Sequence, residues 1–227
     1  MKYEYLLFDA DGTLLDFKKS EECAFFDAVK KHNVTPTAEL YKLYSATNDS
    51  LWKSLERGEI EKKDIIENRF KITFNKANLP YSREMGIEED YQELLSRNSF
   101  VIDGVNEVLD NLLQFKKYIV TNGLFITQTR RIKDSGLFRY FEKSYISEKI
   151  GHQKPKKEYF DFVLNDLGIN DRSKVLIIGD SYTSDIMGGF NAEIDTCWLN
   201  SAKLKPTYNR QPTYEITELK ELLEILK

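Results

Sequence analysis

The chain is short of cysteine, of histidine, of long apolar runs and of any charge bias, and each shortage narrows what it can be. Cys23 and Cys197 are its only cysteines, too few for a disulfide framework, and they suit small core positions in a reducing compartment. No apolar run approaches the roughly 20 residues of a membrane-spanning helix. The first strand-like run starts almost at Met1 without a signal-peptide pattern, so a cytoplasmic protein is expected. Basic residues number 33 and acidic ones 37, well mixed, for a formal net charge of −4. That balance argues against a general nucleic-acid or membrane-surface binder, yet leaves room for a local basic pocket. His32 closes a charged helical pattern and His152 lies in a loop. Both read as solvated or locally bonded side chains and not as catalysts.

What is present alternates between two kinds of segment. "YLLFDA", "KKYIVTN", "KSYIS", "KVLIIGD" and "DTCWLN" are short, apolar and β-rich, and each stops at small or polar residues. Val175 to Ile178 is apolar without a break, as a parallel strand covered on both faces must be. Between these runs, Val105, Val108, Leu109 and Leu112 form a helical stripe, and "PKKEYFDFVLNDLG" ends a second helix at Gly168. The expected fold class is α/β, a Rossmann-like parallel sheet core with right-handed crossovers.

Residues 17–97 break this rhythm, because no strand-like run interrupts them. Leu40, Leu43, Tyr44, Thr47 and Leu51 share a helical face, and Ile66, Phe70 and Phe74 recur every four residues. Gly58 and "NLPYS" read as breaks between helices. An inserted helical domain over 17–97 is therefore expected within a core of 1–16 and 98–227. Tyr44, Trp52 and Phe70 fit the packing of that insertion, and none is assigned to a site.

Four places put polar chemistry at the end of a strand. They are "DADGT" with Asp9 and Asp11, "TNG" with Thr121 and Asn122, "HQKP" with Lys154, and "GDSYTSD" with Asp180 and Asp185. Each has an ordinary explanation: a turn, a solvated lysine, a helix cap. In an open parallel sheet, however, ligands bind where the carboxyl ends of strands converge, and four such groups in one chain are improbable as coincidence.

In this order, "FDADGTLLD", "VTNG", "HQKP" and "GDSYTSDIMGG" resemble the four motifs of the haloacid dehalogenase-like hydrolases. The paired aspartates match the phosphatase branch, and "TNGLFITQTRRIKDSGLF" is similar to the pyrimidine 5′-nucleotidase subgroup. The resemblance implies a helical cap at 17–97, Asp9 as nucleophile and Asp11 as general acid/base. It implies Mg²⁺ held by Asp9, the backbone carbonyl of Asp11 and Asp180, with Asp185 in support. Thr121 and Lys154 would bind the phosphoryl group, with Asn122 assisting through its backbone. The substrate would be a small phosphomonoester, a nucleoside 5′-monophosphate by subgroup, with a sugar-phosphate phosphatase or phosphomutase as the alternative. The oligomeric state is not readable.

The residues themselves make that chemistry reasonable. An aspartate, with a free pKa of about 3.9, is an ionised nucleophile at neutral pH, but it must meet an anionic phosphate. A hard divalent cation and a lysine offset that repulsion. A receiver-type signalling module uses similar groups, but no acidic cluster follows its lysine. A nucleotide-sugar transferase places its Asp-x-Asp much later than residue 9.

Overall fold

The computed structural model describes residues 2–227, and the chain divides into two compact units. The unit Lys18–Asn98 is entirely helical. It contains most of α1 (Phe17–Lys31) together with α2 (Ala38–Glu56), α3 (Lys62–Lys76) and α4 (Ile87–Arg97). Thr37 caps α2 by accepting the Leu40 amide at 3.1 Å. Glu61 and Asp64 form a reciprocal capping box on α3, satisfying amides that the first turn leaves unpaired. The breaks fall around Gly58 and at Asn78–Ser82, as their composition predicts.

Aromatic rings fill the core of this unit. Phe25, Tyr44, Phe70 and Tyr91 are all buried, and the Tyr44 and Phe70 centroids lie 4.8 Å apart. Trp52 is half-buried. Tyr44 and Phe70 are thus core residues, as their helical spacing implied. His32 is tied to Asp90 at 2.8 Å. The core also holds a polar chain. Asn48 donates to Glu21 at 2.7 Å and accepts from Arg69, whose Nε donates to Glu88 at 2.8 Å.

The other unit, Met1–Phe17 with Ser99–Lys227, is built on one sheet. Its strands are β1 (Tyr5–Phe8), β2 (Lys116–Thr121), β3 (Lys143–Ile146), β4 (Val175–Gly179), β5 (Asp195–Leu199) and β6 (Tyr214–Ile216). They run in the order β3-β2-β1-β4-β5-β6, and every neighbouring pair is parallel. The helices are α5 (Val105–Asp110), α6 (Phe125–Asp134), α7 (Ser147–Ile150), α8 (Lys157–Asp166), α9 (Met187–Asn191) and α10 (Leu222–Ile225). Leu6, Phe8, Leu176 and Ile178 join one buried cluster with Val105 and Leu109, while Leu7, Val175 and Ile177 join another with Phe160 and Val163. Alternate side chains of β1 and β4 thus enter two separate cores, which explains why their sequences are apolar without a break.

The chain order reverses between β1 and β4, the position at which an open α/β sheet forms a crevice. In register, Phe8 stands beside both Ile119 and Ile178. Asp9 therefore leaves the sheet at the level of Val120 and Gly179, and Thr121 and Asp180 each lie one step beyond. The segment after Asp9 is folded tightly, with the Leu14 and Leu15 amides both donating to the Ala10 carbonyl. Leu15 then bridges to Val101. The edge strand β6 departs from expectation, since "YEI" is only three residues long and carries no apolar run.

Candidate active site

Lys154 is the centre of the polar crevice, although only 1% of it is exposed. Its ammonium donates to Asp9 Oδ1 at 2.6 Å, Asp185 Oδ1 at 2.7 Å and the Val120 carbonyl at 2.8 Å. These three acceptors match its three N–H donors. Burial alone would push the Lys154 pKa down, but the charges of Asp185 and Asp9 outweigh it and hold the group above the ordinary lysine value.

Carboxylate oxygens of Asp9, Asp180 and Asp185 lie within 4.8 Å of one another. Burial is the main force raising Asp9 well above the usual carboxylate range; Lys154 opposes it, and Asp185 and Asp180 add to it. Asp180 is pushed up to about 7, first by burial and then by the Asp185 charge. Burial is the main cause for both, and the repulsion among three clustered carboxylates that face one ammonium adds to it. Hard oxygen donors with two uncompensated negative charges suit a small divalent cation.

The remaining predicted residues line the same crevice. Asp185 sits in a π-helical turn, Tyr182–Ile186, that precedes α9, and its second oxygen accepts the Ser181 amide at 3.1 Å. Ser181, not Asp180 or Asp185, caps this turn by accepting the Ser184 amide. Thr121 Oγ1 accepts from the Gly123 amide at 3.1 Å and from Gln128 Nε2 at 2.8 Å. With both acceptor positions filled, its own proton is left to donate. The Asn122 side chain turns towards the Lys154 backbone. Its Nδ2 donates to the Lys154 carbonyl and its Oδ1 accepts the Lys154 amide, both at 2.9 Å. Asn122 thus fastens the loop that carries the lysine. His152 is exposed.

Asp11 has partners that sequence reasoning missed. Arg131 Nη1 donates to its Oδ1 at 2.5 Å, and Gln128 Nε2 donates to its Oδ2 at 2.8 Å. Both donors come from α6 and are buried, although they lie in a strongly polar stretch of sequence. Their spacing of three residues puts both on one helical face, but it does not name the distant partner that they meet. Trp198 on β5 was likewise read only as part of a strand. It is buried, and its indole N–H donates to the Asp180 carbonyl at 2.9 Å, fixing the backbone at that carboxylate.

Comparison with known proteins identifies the family of the chain. YfnB of Bacillus subtilis is 38% identical over 99% of this chain and 96% of its own. A crystal structure of YfnB bound to magnesium superposes with a TM-score of 0.93, covering 100% of this chain and 99% of that one. The pyrimidine 5′-nucleotidase PynA of Streptococcus pneumoniae is 35% identical, covering 100% of this chain and 96% of the relative. The pyrimidine 5′-nucleotidase YjjG of Escherichia coli is 33% identical, covering 100% and 99% respectively. Residues 3–193 match the haloacid dehalogenase-like hydrolase family, and with relatives aligned end to end at 33% to 38% identity, the chain belongs to that family of hydrolases.

Proposed function

We propose that the chain is a Mg²⁺-dependent phosphomonoesterase that hydrolyses nucleoside 5′-monophosphates, pyrimidine nucleotides among them, through a phosphorylated Asp9. The observation that carries this reading is the constellation of Asp9, Asp180 and Asp185 within 4.8 Å of one another, with Lys154 bridging Asp9 and Asp185. The nucleotide specificity rests on the named activities of PynA and YjjG. The metal identity draws support from the magnesium bound by YfnB.

In this reading Asp9 attacks phosphorus, the P–O ester bond breaks, and the carboxyl proton of Asp11 passes to the departing alkoxide oxygen. Water then gives a proton to Asp11 as its oxygen attacks the phosphorylated Asp9. The P–O bond to Asp9 breaks with its electron pair returning to the aspartate, and inorganic phosphate leaves. Thr121 donates its free hydroxyl proton to a phosphoryl oxygen, and Lys154 contributes a fixed positive charge. Asp9, the Asp11 carbonyl and Asp180 would hold Mg²⁺, with Asp185 in support. The metal would supply charge neutralisation as nucleophile and phosphate approach. Residues 17–97 act as the cap that selects the leaving group.

Phosphate release from a panel of nucleoside monophosphates and sugar phosphates, with and without Mg²⁺, tests the proposal. Turnover should require the metal and favour pyrimidine 5′-monophosphates, and Asp9→Asn should abolish it in a folded protein. Sugar phosphates better by more than about tenfold in kcat/KM would instead assign the enzyme to sugar esters. Near-normal activity of Asp9→Asn would remove the covalent mechanism.

A further inference from the structure

Asp11, Gln128 and Arg131 close a hydrogen-bonded ring. Arg131 Nη1 donates to Asp11 Oδ1 at 2.5 Å and to Gln128 Oε1 at 3.0 Å, and Gln128 Nε2 donates to Asp11 Oδ2 at 2.8 Å. Both oxygens of one carboxylate are therefore held, from two points on one helix, and rotation about either side-chain bond breaks a charge-assisted contact. The same Gln128 Nε2 donates to Thr121 Oγ1 at 2.8 Å. One amide thus links the carboxylate to the hydroxyl at the end of β2.

The arrangement is built into the fold. Arg131 is 0% exposed and Gln128 1% exposed, so two polar side chains have been drawn out of water to make it. Burying a guanidinium is costly unless it is paired, and Asp11 is its acidic partner here. The Arg131 guanidinium carbon also lies 5.7 Å from the centroid of the Phe17 ring. At Gly123 an added Cβ would lie 2.5 Å from Gln128 Cγ, so only glycine in the "TNG" turn leaves room for Gln128.

We propose that Gln128 and Arg131 form a positioning clamp that aims the Asp11 carboxyl group at the leaving-group oxygen and keeps it in register with the phosphate-binding hydroxyl of Thr121. This rests on the proposed phosphomonoesterase reading and adds to it the residues that orient proton transfer. Neither clamp residue touches the reacting atoms. They act because the proton donor and the Thr121 hydroxyl serve two oxygens bonded to the same phosphorus, so a small displacement of one relative to the other costs rate.

A clamp on the proton donor has a kinetic signature that a general packing role lacks. A nucleoside or other alkyl phosphate expels an alkoxide and needs the proton, whereas p-nitrophenyl phosphate expels an anion stable enough to leave without one. The parameter to read is kcat/KM, which reports only the steps through departure of the leaving group. Arg131→Met, Arg131→Lys and Gln128→Ala would be assayed on both substrates, with Arg130→Met on the same helix as control and thermal melts to verify folding. Arg131→Met should lower kcat/KM for the alkyl phosphate by about a hundredfold, the scale of a lost general acid, and for p-nitrophenyl phosphate by less than about threefold. Arg131→Lys and Gln128→Ala should show the same asymmetry to a smaller degree, and Arg130→Met neither loss. Equal losses on the two substrates, or no loss in any folded clamp variant, would overturn the clamp. If the wild-type protein turned over no alkyl phosphomonoester with Mg²⁺, the parent reading would fail, and the clamp with it. If it turned over sugar phosphates but not nucleotides, only the substrate assignment would fail, and the clamp would be read on those esters.

Discussion

Gly12 and Asp180 approach so closely that a Cβ built on the glycine would lie 2.3 Å from Asp180 Oδ2 and 2.7 Å from its Cγ. Gly12 also has a φ of +82°, in the left-handed region that costs an L-residue about 1–2 kcal/mol. The glycine of "DADGT" thus does more than turn the chain, since it makes room for the carboxylate of Asp180, the residue that follows β4. Gly12→Ala should weaken Mg²⁺ binding as well as stability. The expected result is a half-saturating Mg²⁺ concentration raised at least about tenfold, equivalent to roughly 1.4 kcal/mol of metal binding. A titration of activity against Mg²⁺ checks it, and an unchanged half-saturation point would refute the coupling.

Lys154 gives a prediction about stability as well as rate. Its ammonium joins two buried carboxylates, so Lys154→Met leaves Asp9 and Asp185 facing each other without a cation between them. Removing one member of a buried ion pair typically costs about 3–5 kcal/mol. In metal-free buffer near neutral pH, the variant should lose about that much in urea unfolding, besides its phosphatase activity. A loss below about 1 kcal/mol would mean that the carboxylates find another partner.

Metal removal should make stability depend on pH in a definite direction. Burial raises Asp9 well above the ordinary range and Asp180 to about 7. A carboxyl whose folded pKa exceeds its unfolded value binds more protons when folded, so stability is lost as pH rises between those values. In EDTA the melting temperature should therefore fall from about pH 5 to pH 7.5, the window set by an unfolded aspartate near 3.9 and Asp180 near 7. Saturating Mg²⁺ should reverse the loss at pH 7.5, adding about 2.7 kcal/mol at a hundredfold excess over its Kd. A metal-free melting temperature that climbs over this range would contradict the raised affinity of these buried carboxyls for protons.

The strand ends were legible in the sequence because an apolar run stopping at "DADGT", "TNG" or "GDS" is a local event. The same holds for Tyr44 and Phe70, whose helical spacing marked them as core. Gln128 and Arg131 were not legible, since their partner Asp11 is more than a hundred residues away in sequence and only the rotation of α6 brings them to it. Asn122 was read through its backbone, yet its side chain bonds the Lys154 backbone on both sides, a pairing that needs the closed loop. Trp198 looked like strand packing alone because a buried indole gives no sign of the carbonyl it will meet. Distant pairings of this kind depend on register and helix rotation, which composition and periodicity do not carry.

The two cysteines offer a test of the fold that needs no substrate. Cys197 lies on β5 with no exposed surface, and burial pushes its thiol up to about 12. Cys23, on α1, is only half-buried. Alkylation requires thiolate and access, and Cys197 lacks both at pH 8. A thiol reagent should therefore modify one cysteine per folded chain, Cys23, and both in denaturant. Peptide mapping by mass spectrometry distinguishes them. Labelling of Cys197 at a rate comparable to Cys23 would mean that β5 opens far more readily than a central strand with parallel neighbours on both sides should, because its exchange with solvent would require breaking the pairing with β4 or β6.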